Sequence, residues 1–240
     1  MKYKLKIIAI IFLISLSITG CYNILLPIRI PTRQPEIPQN LIKKDIPKYP
    51  DNKVFTYYKY AKQKQKQLNL SAPEDGYDSL LLRIWFTYPE SLHQYAELLE
   101  ININSNNIKS AKYTRMRIFF NQSRDCEVIN SHIDSLVNEP NKGWENFMQM
   151  LNTYEITKLP TIESLKIYKS FNRNRGGIDY KNTRLTVSVE VATKNEYKFI
   201  QYNGFEFYKV IDEVNNMYSF IKYLRNDFHM VEIDPKWYKN

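Results

Sequence analysis

With two cysteines and three histidines in 240 residues, the chain has little to offer metal chemistry. None of His93, His132 and His229 has a second His or Cys at ligand spacing, and both HExxH and CxxC are missing. Each histidine is expected at the surface or in a supporting role. Glycine is also scarce, at six. No serine sits in a GxSxG elbow, and Gly176-Gly177 lacks the GxxxxGK[ST] frame of a phosphate loop. Glu145, Asp179 and Glu190 belong to no recognisable acid–base pair, and nothing beside Asp125-Cys126 would activate a thiolate. These absences remove the catalytic frames that a sequence can display. No catalytic residue, cofactor or metal is expected.

Long apolar runs are equally rare, and the clearest stands at the N-terminus. Residues 1–6, MKYKLK, are basic, and residues 7–18, IIAIIFLISLSI, are apolar apart from two serines. Twelve residues fall short of the roughly 20 that a membrane span needs, but they suit the core of a signal peptide. The segment ends in Ile18-Thr19-Gly20-Cys21. An aliphatic residue, a small residue, Gly and then Cys resembles the lipobox of bacterial lipoproteins. The resemblance implies a diacylglyceryl group on the Cys21 thiol, cleavage just before it, and a bilayer as partner through the acylated residue. Two or three acyl chains anchor stably, because each buried CH₂ contributes about 0.8 kcal/mol. Tyr22 stands where Asp would favour inner-membrane retention, so the resemblance implies the outer membrane. An ordinary signal peptide, or an uncleaved anchor with a chance cysteine, is the alternative. With Cys21 lipidated, Cys126 has no partner in the chain and is expected as a small buried hydrophobe.

Removing residues 1–20 takes away Lys2, Lys4 and Lys6 and lowers the net charge from +9 to +6. That excess reads as a solvated basic face. The 43% hydrophobic content and 19 tyrosines suffice for a core. Residues 21–75 hold seven of the eleven prolines and are expected to form an extended tether. Within them, residues 55–70 could form a short basic helix; the Lys-Gln alternation at 62–67 carries no apolar stripe, so a solvated helix or coil is expected, with membrane or nucleic-acid contact as the alternative.

The folded domain is expected over 76–228, with a tail at 229–240. Leu80, Leu82, Ile84 and Phe86 mark a buried strand at 79–87. Strands are also predicted at 97–104 and at 111–120, where Tyr113, Arg115, Arg117 and Phe119 alternate with Thr114, Met116, Ile118 and Phe120. Trp144, Phe147, Met148 and Leu151 give a helix over 141–153, with Asn141 as its cap. Strands at 183–193 and 196–203 follow, joined at Lys194-Asn195. Val210, Val214, Met217, Ile221 and Leu224 place a last helix at 206–226. The fold class is α+β: a mainly antiparallel sheet with two main helices on one face. The layout is similar to that of small uncharacterised lipoproteins of the Bacteroidetes. It shares Leu82-Arg83-Ile84-Trp85-Phe86, Gly143-Trp144-Glu145-Asn146-Phe147, Leu159-Pro160, Val189-Glu190-Val191 and Tyr197-Lys198-Phe199. That group has no assigned activity, so the resemblance implies no catalytic residue.

One loop stands out as an anion site: Arg173 and Arg175 beside Gly176 and Gly177 offer guanidinium forks and free backbone amides. A flexible inter-strand loop is the plainer reading. Basic and aromatic residues interleave at 111–120 and 196–208, but nucleic acid is not expected as a partner of an exported chain. Three functions remain open: a non-enzymatic binding or scaffolding lipoprotein whose partner is an envelope protein or glycan, an envelope hydrolase whose site only folding assembles, and an immunity or inhibitor lipoprotein.

Overall fold

The central strand explains the composition of its segment. LLLRIWFTY has no polar face because both of its faces are covered, and every residue from Leu81 to Tyr88 is buried. The computed structural model describes residues 42–47, 53–88, 94–121, 126–137, 139–165, 185–203, 205–208 and 210–230. All of these lie in one compact unit, Pro35–Asn240. Cys21, the Arg173–Gly177 loop, Asp179 and His93 fall outside the described residues.

The described elements are β1 (Lys43–Asp45), α1 (Lys53–Gln67), β2 (Leu80–Tyr88), β3 (Gln94–Ile103), β4 (Lys109–Asn121), β5 (Cys126–Val137), α2 (Gly143–Thr153), β6 (Thr186–Thr193), β7 (Glu196–Asn203), α3 (Phe205–Tyr208) and α4 (Asp212–Asp227). Short 3-10 turns occupy Pro73–Asp75 and Ile162–Ser164. The strands form one sheet in the order β1-β7-β6-β2-β3-β4-β5. Every pairing is antiparallel except β1 with β7. The expected α+β class is therefore the observed one.

Period-two alternation divides the side chains between two cores. Leu82, Ile84, Phe86, Val187 and Val189 meet Phe147 and Leu151 of α2 and Val214, Met217, Phe220 and Leu224 of α4. Edge-on rings tie the two helices together, with Phe147 and Phe228 5.4 Å apart. Leu81, Trp85, Leu98, Met116, Tyr197 and Phe199 point the other way and pack with Ala61 of α1. Among the described residues no helix is long and apolar enough to cross a membrane.

Several expectations are corrected. The folded unit takes in β1 and α1, which lie inside the segment 21–75 expected as a tether. The helix expected at 55–70 forms over 53–67 but is not solvated: Ala61, Lys64 and Gln65 are buried. Strand β5 was not expected, because CEVINSHIDSLV is too polar to announce itself. The helix expected over 206–226 is broken: Ile211 adopts extended angles before α4 begins, and Val210 is 74% exposed instead of buried. Asn141 does not cap α2. Its side chain donates to the Asn226 carbonyl and fixes the start of α2 to the end of α4. Met230 is buried in the core, so the domain runs past the expected limit at 228.

Candidate functional site

Most charges inside the domain neutralise one another. Beneath α1, the Glu190 carboxylate is fully buried and accepts from Lys62, from Trp85 Nε1 at 2.8 Å and from the Tyr197 hydroxyl at 2.8 Å. Lys62 also donates to Glu74 at 2.8 Å and to Gln65 at 2.7 Å. Lys64 pairs with Glu127, both buried, and lies 5.7 Å from the centre of the Trp85 ring. Arg83 pairs with Glu100 at 2.6 Å and donates to the Ser71 carbonyl at 2.7 Å. Burial, and then the charges of Glu190 and Glu74, push the Tyr197 hydroxyl far above its ordinary value. Apart from Glu74 Oε2, which is buried without a hydrogen-bond partner among the described residues, these groups are spent on one another and hold α1 to the sheet.

The α2/α4 face has a buried carboxylate network of its own. Glu97 accepts from Tyr88 at 2.9 Å, from Tyr113, and from Arg225 of α4 at 2.7 Å. The Arg225 guanidinium stands 5.0 Å over the Phe86 ring. Burial and then the Glu97 charge raise the Tyr113 and Tyr95 hydroxyls.

Tyr113 connects this network to open space. A cleft of about 530 Å³ lies where β4 and β5 meet the end of α4, and Tyr113, Arg115, Ser135, Glu139 and His229 line it with Phe228 at the back. The local sequence builds it from three sides. Register places Tyr113 opposite Ser135 and Arg115 opposite Ile133, so the cleft floor continues into a shelf bearing Arg115, Arg117 and Phe119. Arg117 and Phe119 are exposed and Arg115 is half-buried. The third side is the end of α4. There His229 has a φ of +51°, a conformation more common for Gly after a helix, and Phe228 donates back to the Leu224 carbonyl.

The Arg115 charge offsets part of the rise of the Tyr95 hydroxyl, and among the described residues no carboxylate lies within ion-pair distance of Arg115 or Arg117. The cleft and shelf thus offer two guanidinium groups, an imidazole, a serine hydroxyl and one carboxylate. Such a set suits an anionic or strongly polar ligand. Ser135, Glu139 and His229 share the cleft, but no hydrogen bond joins any two of them among the described residues. Among those residues, too, no group of three His, Cys, Asp or Glu side chains could hold a metal ion.

The structure scatters the residues singled out in sequence. His229 reaches the cleft, while His132 is exposed on β5 and Glu145 is exposed on α2. Glu190 is consumed in the α1 network. Cys126 is a free thiol, only half-buried, not the buried hydrophobe expected. Arg115, Tyr113, Ser135 and Glu139 were not singled out as site residues. The signal for the first two was present in the Tyr113-Arg115-Arg117-Phe119 alternation, but the wall of β5 that completes the cleft had no signal. The chain matches no protein-family model, no curated protein and no solved structure.

Proposed function

We propose that the chain is a lipid-anchored protein of the bacterial envelope that works by binding an anionic envelope component, a protein or a glycan, at the cleft and shelf of β4 and β5. The anchor rests on the lipobox Ile18-Thr19-Gly20-Cys21 behind its apolar run, with Tyr22 favouring the outer membrane. The binding reading rests on one observation. Lys64, Arg83 and Arg225 are each neutralised by a carboxylate, whereas Arg115 and Arg117 face open space with none within reach among the described residues. Two positive groups spaced two residues apart on a sheet face are a ready site for carboxylates or phosphates.

The test is crosslinking of the tagged protein in intact envelopes, followed by identification of what it captures. Replacing Arg115 and Arg117 by Ala should weaken capture of a specific component by on the order of tenfold or more, as expected when charged hydrogen bonds are lost. An unchanged set of captured components would reject the site. In the same cells, Cys21→Ser should leave the precursor uncleaved and without incorporated lipid.

A second reading, an envelope hydrolase, is favoured by the meeting of Ser135, Glu139 and His229 in one cleft. It ranks below binding because no nucleophile–base hydrogen bond is formed among them. Labelling by a fluorophosphonate that disappears in Ser135→Ala would put it first.

A further inference from the structure

We infer that β5 is an interaction surface for a second copy of this chain, joining two sheets edge to edge in an antiparallel pair centred on Ile133. The two ends of the sheet differ in how they are protected. At one end β1 is three residues long and carries Lys43 and Lys44, both devices that discourage further pairing. At the other end β5 is twelve residues long and last in the strand order of the described residues, and Gln63 and Gln67 of α1 cap it only at Glu127 and Ile129, ahead of the bulge. One extra residue, Asn130, bulges from β5 where the register shifts opposite Arg117 and Ile118. Beyond the bulge, Ser131–Val137 run in regular register with β4 and contain no Lys, Arg or Pro. Every residue from Asn130 to Leu136 is exposed, including Ile133 at 60% and Leu136 at 77%. A long regular edge bearing exposed aliphatic side chains is what another strand pairs with.

Charge complementarity selects the partner and the register. In an antiparallel pair, opposed side chains share a face, so the two-fold axis of a symmetric pair must pass through a residue and not between two. With the axis at Ile133, the two Ile133 side chains meet, Ser131 faces Ser135 of the second copy, and His132 faces its Asp134. With the axis at Asp134, two carboxylates would oppose each other. At His132 two imidazoles would do so, and at Ser135 the Asp134 carboxylate would face Leu136. Lys112 at 2.8 Å and Thr114 at 2.7 Å already hold the Asp134 carboxylate on the α1 side of the sheet, the side that His132 shares. The pairing would double the seven-stranded sheet and keep both α2/α4 layers on the same side. The two shelves would then merge into one trough, with Arg115 and Arg117 from each copy on its floor. The pairing itself does not depend on what the trough binds.

The test is disulfide crosslinking of the full chain in its own membrane, in a Cys126→Ser background. Residues directly opposed across an antiparallel pair have Cα atoms about 4.5 to 5.5 Å apart, within disulfide reach. Ile133→Cys should therefore form a covalent dimer faster, by on the order of tenfold or more, than Ile108→Cys, an exposed position away from this edge. Chains carrying Ser131→Cys should crosslink to chains carrying Ser135→Cys. Ile133→Lys should sediment as a monomer in detergent where the parent is a dimer. Equal rates for Ile133→Cys and Ile108→Cys, or an unchanged mass for Ile133→Lys, would overturn the inference. A dimer formed by the Cys126→Ser parent alone would instead mark an unlipidated Cys21 thiol and count against the anchor.

Discussion

His229 occupies a position where another residue would cost less. The left-handed conformation after α4 costs a non-glycine residue roughly 1 kcal/mol, and no hydrogen bond joins the imidazole to the other described residues. Its side chain therefore does little for the helix end and lines the cleft instead. His229→Gly is expected to leave stability unchanged or raise it by up to about 1 kcal/mol, read as the urea midpoint, while weakening capture at the cleft. A loss of stability would return the imidazole to a structural role. Single positions such as this one were hard to read from sequence. Glu190 sits in a plain Val-Glu-Val alternation, and nothing local distinguishes an outward carboxylate from one held by Lys62, 128 positions away. Whether a charge is buried is settled by its partner, and the partner comes from tertiary structure.

At the scale of elements, pattern was readable wherever the covered face was apolar. Strands β2, β6 and β7 and helix α2 were placed within a few residues because Leu, Val, Phe and Trp recur there at period two or 3.6. Strand β5 was missed and helix α1 was misread as solvated, for opposite reasons. Strand β5 is half uncovered, so its sequence alternates weakly. Helix α1 is covered, but by charge: its inner face presents Lys62, Lys64 and Gln65 to Glu190, Glu127 and the Ser71 carbonyl. The Lys-Gln run that reads as solvated is a docking face. Buried ion pairs of this kind specify a position more than they stabilise it. Lys64→Met should cost about 3–5 kcal/mol because Glu127 is left charged and buried. Adding Glu127→Leu should recover most of that loss, with the introduced thioether packing near Trp85. Urea denaturation of the two single variants and the double variant measures the coupling; additive losses would mean that the pair does not hold α1.

At the scale of the whole molecule, carboxylates and tyrosine hydroxyls define the pH window of the fold. Glu74 is half-buried, and desolvation alone would raise its carboxyl, but Lys62 overrides this and lowers it. Asp134, on the exposed strand β5, is lowered too: partial desolvation would raise it, but hydrogen bonds from Lys112 and Thr114 outweigh that. A lowered carboxyl stabilises the fold above its unfolded value and loses that contribution as pH falls, so stability declines below about pH 4.5. The tyrosines act in the opposite direction. Tyr113, Tyr197 and Tyr202 are buried, and burial is the first cause lifting each hydroxyl far above 10.0, followed by the charge of Glu97, of Glu190 and of Glu213 respectively. A raised acid contributes its full stability below its unfolded value and loses it as pH climbs towards the folded one. Each such hydroxyl that ionises only after unfolding subtracts about 1.4 kcal/mol per pH unit, so the three together subtract about 4 kcal/mol per unit above pH 10. Against a typical stability of about 5–15 kcal/mol, that slope unfolds the domain within a few pH units. Near-ultraviolet absorbance should therefore show the exposed members of the 19 tyrosines ionising first and smoothly. A second, cooperative step should then coincide with loss of the far-ultraviolet dichroism. Smooth ionisation of every tyrosine with the sheet intact would mean that the two cores admit water to these hydroxyls and that Glu97 and Glu190 are not sealed as described.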